Sequence, residues 1–120
     1  MIQRAVPPAH EARAMSDTND ALRQAADRLE MARRAYERGE DGLHLLQRSR
    51  TTFIHSLRNT GLTYSQARIK YDNCLDEQRR LHEQEARHLQ YAERLYRALY
   101  AELEQADARD RAHEAGAVRA

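Results

Sequence analysis

Two clusters in the sequence hold side chains whose types and spacing could do chemistry. The first is His82-Glu83-Gln84-Glu85-Ala86-Arg87-His88. Glu85 and His88 stand one helical turn apart, the Glu-x-x-His spacing with which di-iron carboxylate bundles present a carboxylate and an imidazole to one metal. A chain folded back on itself would bring Glu37 or Glu40 to the same level. Two copies would then supply a full ligand set from Glu37, Glu40, His82, Glu85 and His88. The plainer account of the same residues is a polar, partly hydrated layer that sets helix register.

The second cluster is defined by what it lacks. Residues 42–71 contain no Asp or Glu but hold Arg48, Arg50, Arg58, Arg68 and Lys70. The other 90 residues carry all 19 acids against 15 bases, so the positive charge of this stretch stands out from a mildly acidic remainder. Such a patch suits an acidic protein surface, a phosphate backbone or an anionic membrane. Thr51, Thr52, Ser56, Thr60, Thr63 and Ser65 add hydrogen-bonding hydroxyls. Five charges are few for nucleic acid, and no aromatic side chain is left over for base stacking, which disfavours that partner. The plainer account is a solvated basic end that keeps the region soluble.

Other reactive groups point away from catalysis. Cys74 is the single cysteine and falls on an apolar helical stripe, where a thiol is inert packing. No glycine-rich phosphate loop, serine elbow or nucleotide motif occurs. The sequence therefore reads as a non-enzymatic protein with no cofactor, and a metal-binding bundle is the alternative.

The elements that would position these residues are helices. The chain has 120 residues, 41% hydrophobic and 32% charged, with four Gly, two Pro and one Phe. That is a long-helix composition. Residues 1–15, with Pro7-Pro8, read as a flexible arm. Ser16-Asp17-Thr18 is a helix-start signal. A seven-residue repeat follows, with Leu22, Leu29, Tyr36, Leu43, Arg50 and Leu57 in one series and Ala25, Ala32, Gly39, Leu46 and Phe53 in the other. The repeat keeps phase across Gly39-Glu40-Asp41-Gly42, which predicts one helix over about 17–58, kinked or broken near 39–42. Asn59-Thr60-Gly61 ends it. Thr63 can cap a second helix over about 63–111, and residues 113–120 read as a frayed tail.

The second helix carries Tyr64, Ala67, Tyr71, Cys74, Leu75, Leu81, Leu89, Ala92, Leu95, Tyr96, Leu99, Leu103 and Ala106 on one stripe. Folding back near residue 60 sets Leu57 against Tyr64, Leu46 against Leu75, Gly39 against His82, Ala32 against Leu89, Leu29 against Ala92, Ala25 against Tyr96 and Leu22 against Leu99. Small faces large at several levels, as close helix approach requires. The expected fold is all-α, a long antiparallel coiled-coil-like hairpin.

A hairpin buries only one seam. Met31, Leu45, Ile54, Ile69, Tyr91 and Tyr100 lie outside it, and the face formed by Leu89, Tyr91, Leu95, Tyr96, Leu99, Tyr100 and Leu103 is wider than one partner helix covers. A homodimeric four-helix bundle, or a heteromeric helical partner, is the expected solution. The expected function is a helical interaction or scaffold protein that binds a protein partner through this face and through the basic tip. No apolar run reaches membrane-spanning length. Residues 1–8 lack an apolar signal-peptide core, so the expected compartment is the cytoplasm, with leaderless export as an alternative.

In outline the hairpin resembles two bacterial groups. The small helical hairpins exported by type VII secretion turn at Trp-x-Gly, where this chain has Asn59-Thr60-Gly61 without the Trp. They end with Tyr-x-x-x-Asp/Glu, which Tyr100 and Glu104 satisfy. The stalk and escort proteins of type III and flagellar export resemble it in shape alone. These resemblances imply a leaderless secreted hairpin, or a secretion-system stalk or escort that inserts into a partner.

Overall fold

The chain folds into α-helices. The computed structural model describes residues 9–119, and they form α1 (Ala9–Arg48), α2 (Arg50–Asn59) and α3 (Tyr64–Arg119). Among the described residues there is no strand. Two helix ends extend past the expected ones. α1 starts at Ala9, inside the stretch read as an arm. Pro-Pro forbids a helix running through it but is compatible with one that begins directly after it. α3 continues to Arg119, because a run rich in Ala, Arg and Glu keeps helical propensity without an apolar stripe.

Contacts divide the chain into two units, one built from the chain up to Leu29 with the chain from Ala92, the other spanning Glu30–Tyr91. In the first, Ala25 and Ala92 are 3% and 4% exposed. A methyl group is shielded that far only when a facing helix comes close. Leu22, Leu29, Leu95, Tyr96, Leu99 and Leu103 are half-buried, and from Glu104 to Gly116 every residue is exposed. The apolar stripe therefore stops at Leu103, and Ala106 lies outside it.

The Glu30–Tyr91 unit is a helical hairpin with its densest packing at the reversal. Ile54, Ala67 and Tyr71 form a buried cluster, and Leu46, Phe53, Leu57, Leu62 and Leu75 pack against it. The Tyr71 hydroxyl donates to the Leu46 carbonyl at 2.9 Å, and its ring meets Phe53 edge-on at 5.5 Å. Ile54 was expected outside the seam and is instead 4% exposed. A straight helix drifts about 20° per heptad against a strict seven-residue repeat. Across the four-odd heptads from Leu22, that drift moves the seam by nearly one residue position. Tyr64 and Leu81, placed on the seam from sequence, are 49% and 44% exposed.

The helix is not broken at residues 39–42. α1 passes through both glycines and is interrupted at Ser49, with φ −91° and ψ 10°. The helical hydrogen bonds span the junction, from Ser49 N–H to the Leu45 carbonyl at 2.9 Å and from Phe53 N–H to the Ser49 carbonyl at 2.8 Å. α1 and α2 are thus continuous in bonding.

The reversal is built from local chemistry. The Thr60 hydroxyl donates to the Leu57 carbonyl at 2.6 Å, and Gly61 N–H donates to the Arg58 carbonyl at 3.0 Å. Gly61 has φ +103°, a conformation that side chains with a Cβ rarely adopt. α3 opens on a reciprocal cap: Gln66 N–H donates to Thr63 Oγ1 at 3.2 Å, and Thr63 N–H donates to Gln66 Oε1 at 3.0 Å. Gly61→Ala should destabilise the chain by about 1–2 kcal/mol through the left-handed penalty. Thr63→Ala should remove about 1 kcal/mol through the lost cap. Urea denaturation followed by circular dichroism measures both.

Candidate functional site

The basic residues of the reversal all reach solvent. Arg48, Arg50, Arg58, Arg68 and Lys70 are exposed. The Arg50 guanidinium lies 5.7 Å from the centroid of the Tyr71 ring, and that of Arg58 lies 6.0 Å from Tyr64. These cation–π contacts hold the stems of two arginines against the fold while leaving their N–H groups available. Among the described residues the Arg–carboxylate pairs are Arg34–Glu30, Arg79–Asp76 and Arg111–Asp107, and none involves the reversal. Among the described residues, therefore, no ion pair neutralises the positive charge of residues 42–71.

Next to it lies a groove that the sequence reading did not single out. Thr52, Phe53, Ser56 and Leu57 of α2 line it with Ser49 and Thr60 at the two ends of that helix, at spacings of three and four residues that place them on one face. Phe53 and Leu57 are half-buried, while Thr52, Ser56 and Thr60 are exposed. The signal in the sequence is the four-residue spacing of hydroxyl side chains at Thr52, Ser56 and Thr60.

The expected interface face is partly turned inward. In the Glu30–Tyr91 unit, Leu89 is half-buried and Tyr91 is 57% exposed. In the other unit, Leu95, Tyr96, Leu99 and Leu103 are half-buried, and Tyr100, at 46%, is exposed and stacks on Tyr96 with centroids 6.2 Å apart. Five of these seven residues are thus partly shielded, leaving the two tyrosines as its exposed portion.

The metal candidates separate as well. Glu37 and His88 are exposed, and Glu40 is half-buried. Glu85 turns to His82 rather than His88: His82 Nδ1 and Glu85 Oε2 lie 3.8 Å apart. Both atoms are buried without a hydrogen-bond partner. The Tyr36 ring stacks on His82 with centroids 4.6 Å apart and planes 25° from parallel. Among the described residues, no group of three or more His, Cys, Asp or Glu side chains is placed to share an ion. Cys74 is a half-buried free thiol.

Gly39 explains how this layer fits. A Cβ there would collide with Glu85 Oε2 and lie 2.9 Å from His82 Nδ1. The missing side chain at Gly39 permits the close approach of His82 and Glu85. At Gly42, by contrast, nothing lies within 4 Å. Gly39→Leu should cost about 1–3 kcal/mol by overpacking, while Gly42→Leu should be neutral or slightly stabilising; thermal melts of the two variants separate these outcomes. Compared with protein-family models, with curated proteins and with solved structures, the chain matches none.

Proposed function

We propose that this chain is a non-enzymatic helical interaction protein, which binds a protein partner through apolar surface left open by its own helices and through its basic reversal. The observation that carries this reading is the balance of burial. Among the described residues Tyr71 is the one large side chain that is fully buried, while Met31, Leu45, Tyr64, Ile69, Leu81, Tyr91 and Tyr100 are exposed at 44–70%. Burying one such side chain contributes about 1.5–3 kcal/mol. Association costs roughly 4–15 kcal/mol in lost freedom and ordering. One exposed side chain cannot hold a partner, but several covered together can. A symmetric dimer counts each of them twice, which favours a second copy and a four-helix bundle over a single added helix.

The basic reversal supports a second contact, made to an acidic protein surface. Unneutralised charge raises the rate and selectivity of encounter more than the final affinity.

Light scattering of the purified chain should give twice its 14.0 kDa mass, and the double change Tyr91→Glu with Tyr100→Glu should shift it towards monomer. A monomer at tens of micromolar for the unaltered chain would overturn the self-association. Replacing Arg48, Arg58 and Arg68 together by Glu should abolish binding at the reversal while leaving helicity unchanged. Partner binding that survives the triple change counts against a role for the charge.

A further inference from the structure

We infer that the α2 face of the reversal is a docking groove for an acidic amphipathic helix of a partner protein. The inference deepens the reading above, taking from it only that the reversal is a contact site. Its shape comes from the side chains on that face. Phe53 and Leu57 pack against the cluster of Ile54, Ala67 and Tyr71 and remain half-exposed, so they form an apolar floor supported from beneath. The short side chains of Ser49, Thr52, Ser56 and Thr60 stand around that floor. Small residues at four-residue spacing let a second helix approach closely, with its ridge of side chains lying between them. One turn before Ser49, Leu45 is 59% exposed and carries the same face back into α1. From Leu45 to Thr60 the face is roughly 22 Å long at 1.5 Å per residue. That length fits a partner helix of about four turns, with apolar side chains at spacings of three and four.

Charge selects among the possible occupants. The segment that carries the groove has no Asp or Glu from residue 42 to residue 71. Arg48 is exposed at the edge of that face, one residue before Ser49, and no carboxylate of the described residues pairs with it. A second copy offering the same face would bring like charge against like. A nucleic acid has no apolar ridge for the Phe53–Leu57 floor. An anionic membrane calls for protruding apolar side chains, whereas the middle of this face is lined by hydroxyls. A helix with an apolar stripe flanked by Asp and Glu satisfies both the floor and the rim.

The test uses the full chain against a displayed library of four-turn helices with randomised side chains. Enriched clones should carry Asp or Glu beside an apolar stripe and should bind more weakly as salt is raised. Ser56→Trp fills the groove at an exposed position. It should lower binding at least tenfold with an unchanged circular dichroism spectrum, and Arg48→Glu should weaken binding as well. Arg94→Glu, on an exposed site of α3 outside the hairpin unit, should leave binding unchanged. The inference is overturned if no clone is enriched, if the clones show no acidic bias, or if Ser56→Trp has no effect. Tighter binding to phosphatidylserine vesicles than to any clone also overturns it. Light scattering on the Ser56→Trp protein separates the two readings. Loss of the groove leaves the solution mass unchanged, and a monomeric chain that still binds acidic clones retains the groove without the self-association.

Discussion

Tyr71 ties the three helices together at one point. It belongs to α3, its hydroxyl donates to a carbonyl of α1 at Leu46, and its ring meets Phe53 and the Arg50 guanidinium of α2. At 1% exposure it is, among the described residues, the one large side chain fully withdrawn from water. A buried phenol needs a partner for its O–H, and a carbonyl next to the Ser49 irregularity supplies it. The position of α2 against α3, and hence the exposure of the groove on its other side, follows from this anchor. Ile54 and Ala67 complete the packing around it, and the cation–π contact keeps Arg50 at the surface without separating it from the fold.

Away from that anchor, the constraint is that paired helices bury only a seam. Ala25, Ala32 and Ala92 are shielded because small residues let backbones approach, while Leu22, Leu29, Leu43 and Leu46 are only half covered. Apolar residues beyond the seam stay in water, and the proposed association rests on that exposure. The polar layer at Tyr36, Gly39, His82 and Glu85 interrupts the seam, with two buried polar atoms left without a protein partner. Buried groups of that kind cost stability when unsatisfied, so the layer favours one register at the expense of packing energy.

Much of this was legible from residue order. Helicity, the reversal, the Thr63 cap and the pairing of Gly39 with His82 followed from spacing and from capping chemistry, which act over a few residues. Ile54, Tyr64 and Leu81 were misplaced because a phase extrapolated over several heptads accumulates error that only the actual helix path removes. A break was one expectation at the glycines, but the helix runs through them and is interrupted at Ser49; Gly39 meets a close approach from α3 that local propensity does not register. The groove went unrecognised because it needs Phe53 and Leu57 to be supported from below while staying open above, a condition set by the partner helix.

The residue sequence by itself determined that the chain is helical, where it reverses, and that its positive charge gathers around the reversal. Those properties depend on hydrogen bonds, turn conformations and charge counts within short stretches of chain. Only the tertiary structure decided which apolar residues turn inward, that Glu85 meets His82 rather than His88, and that α2 offers an open face next to Arg48. Each of these depends on the rotation of one helix against another, and small changes of phase along a helix exchange inner positions for outer ones.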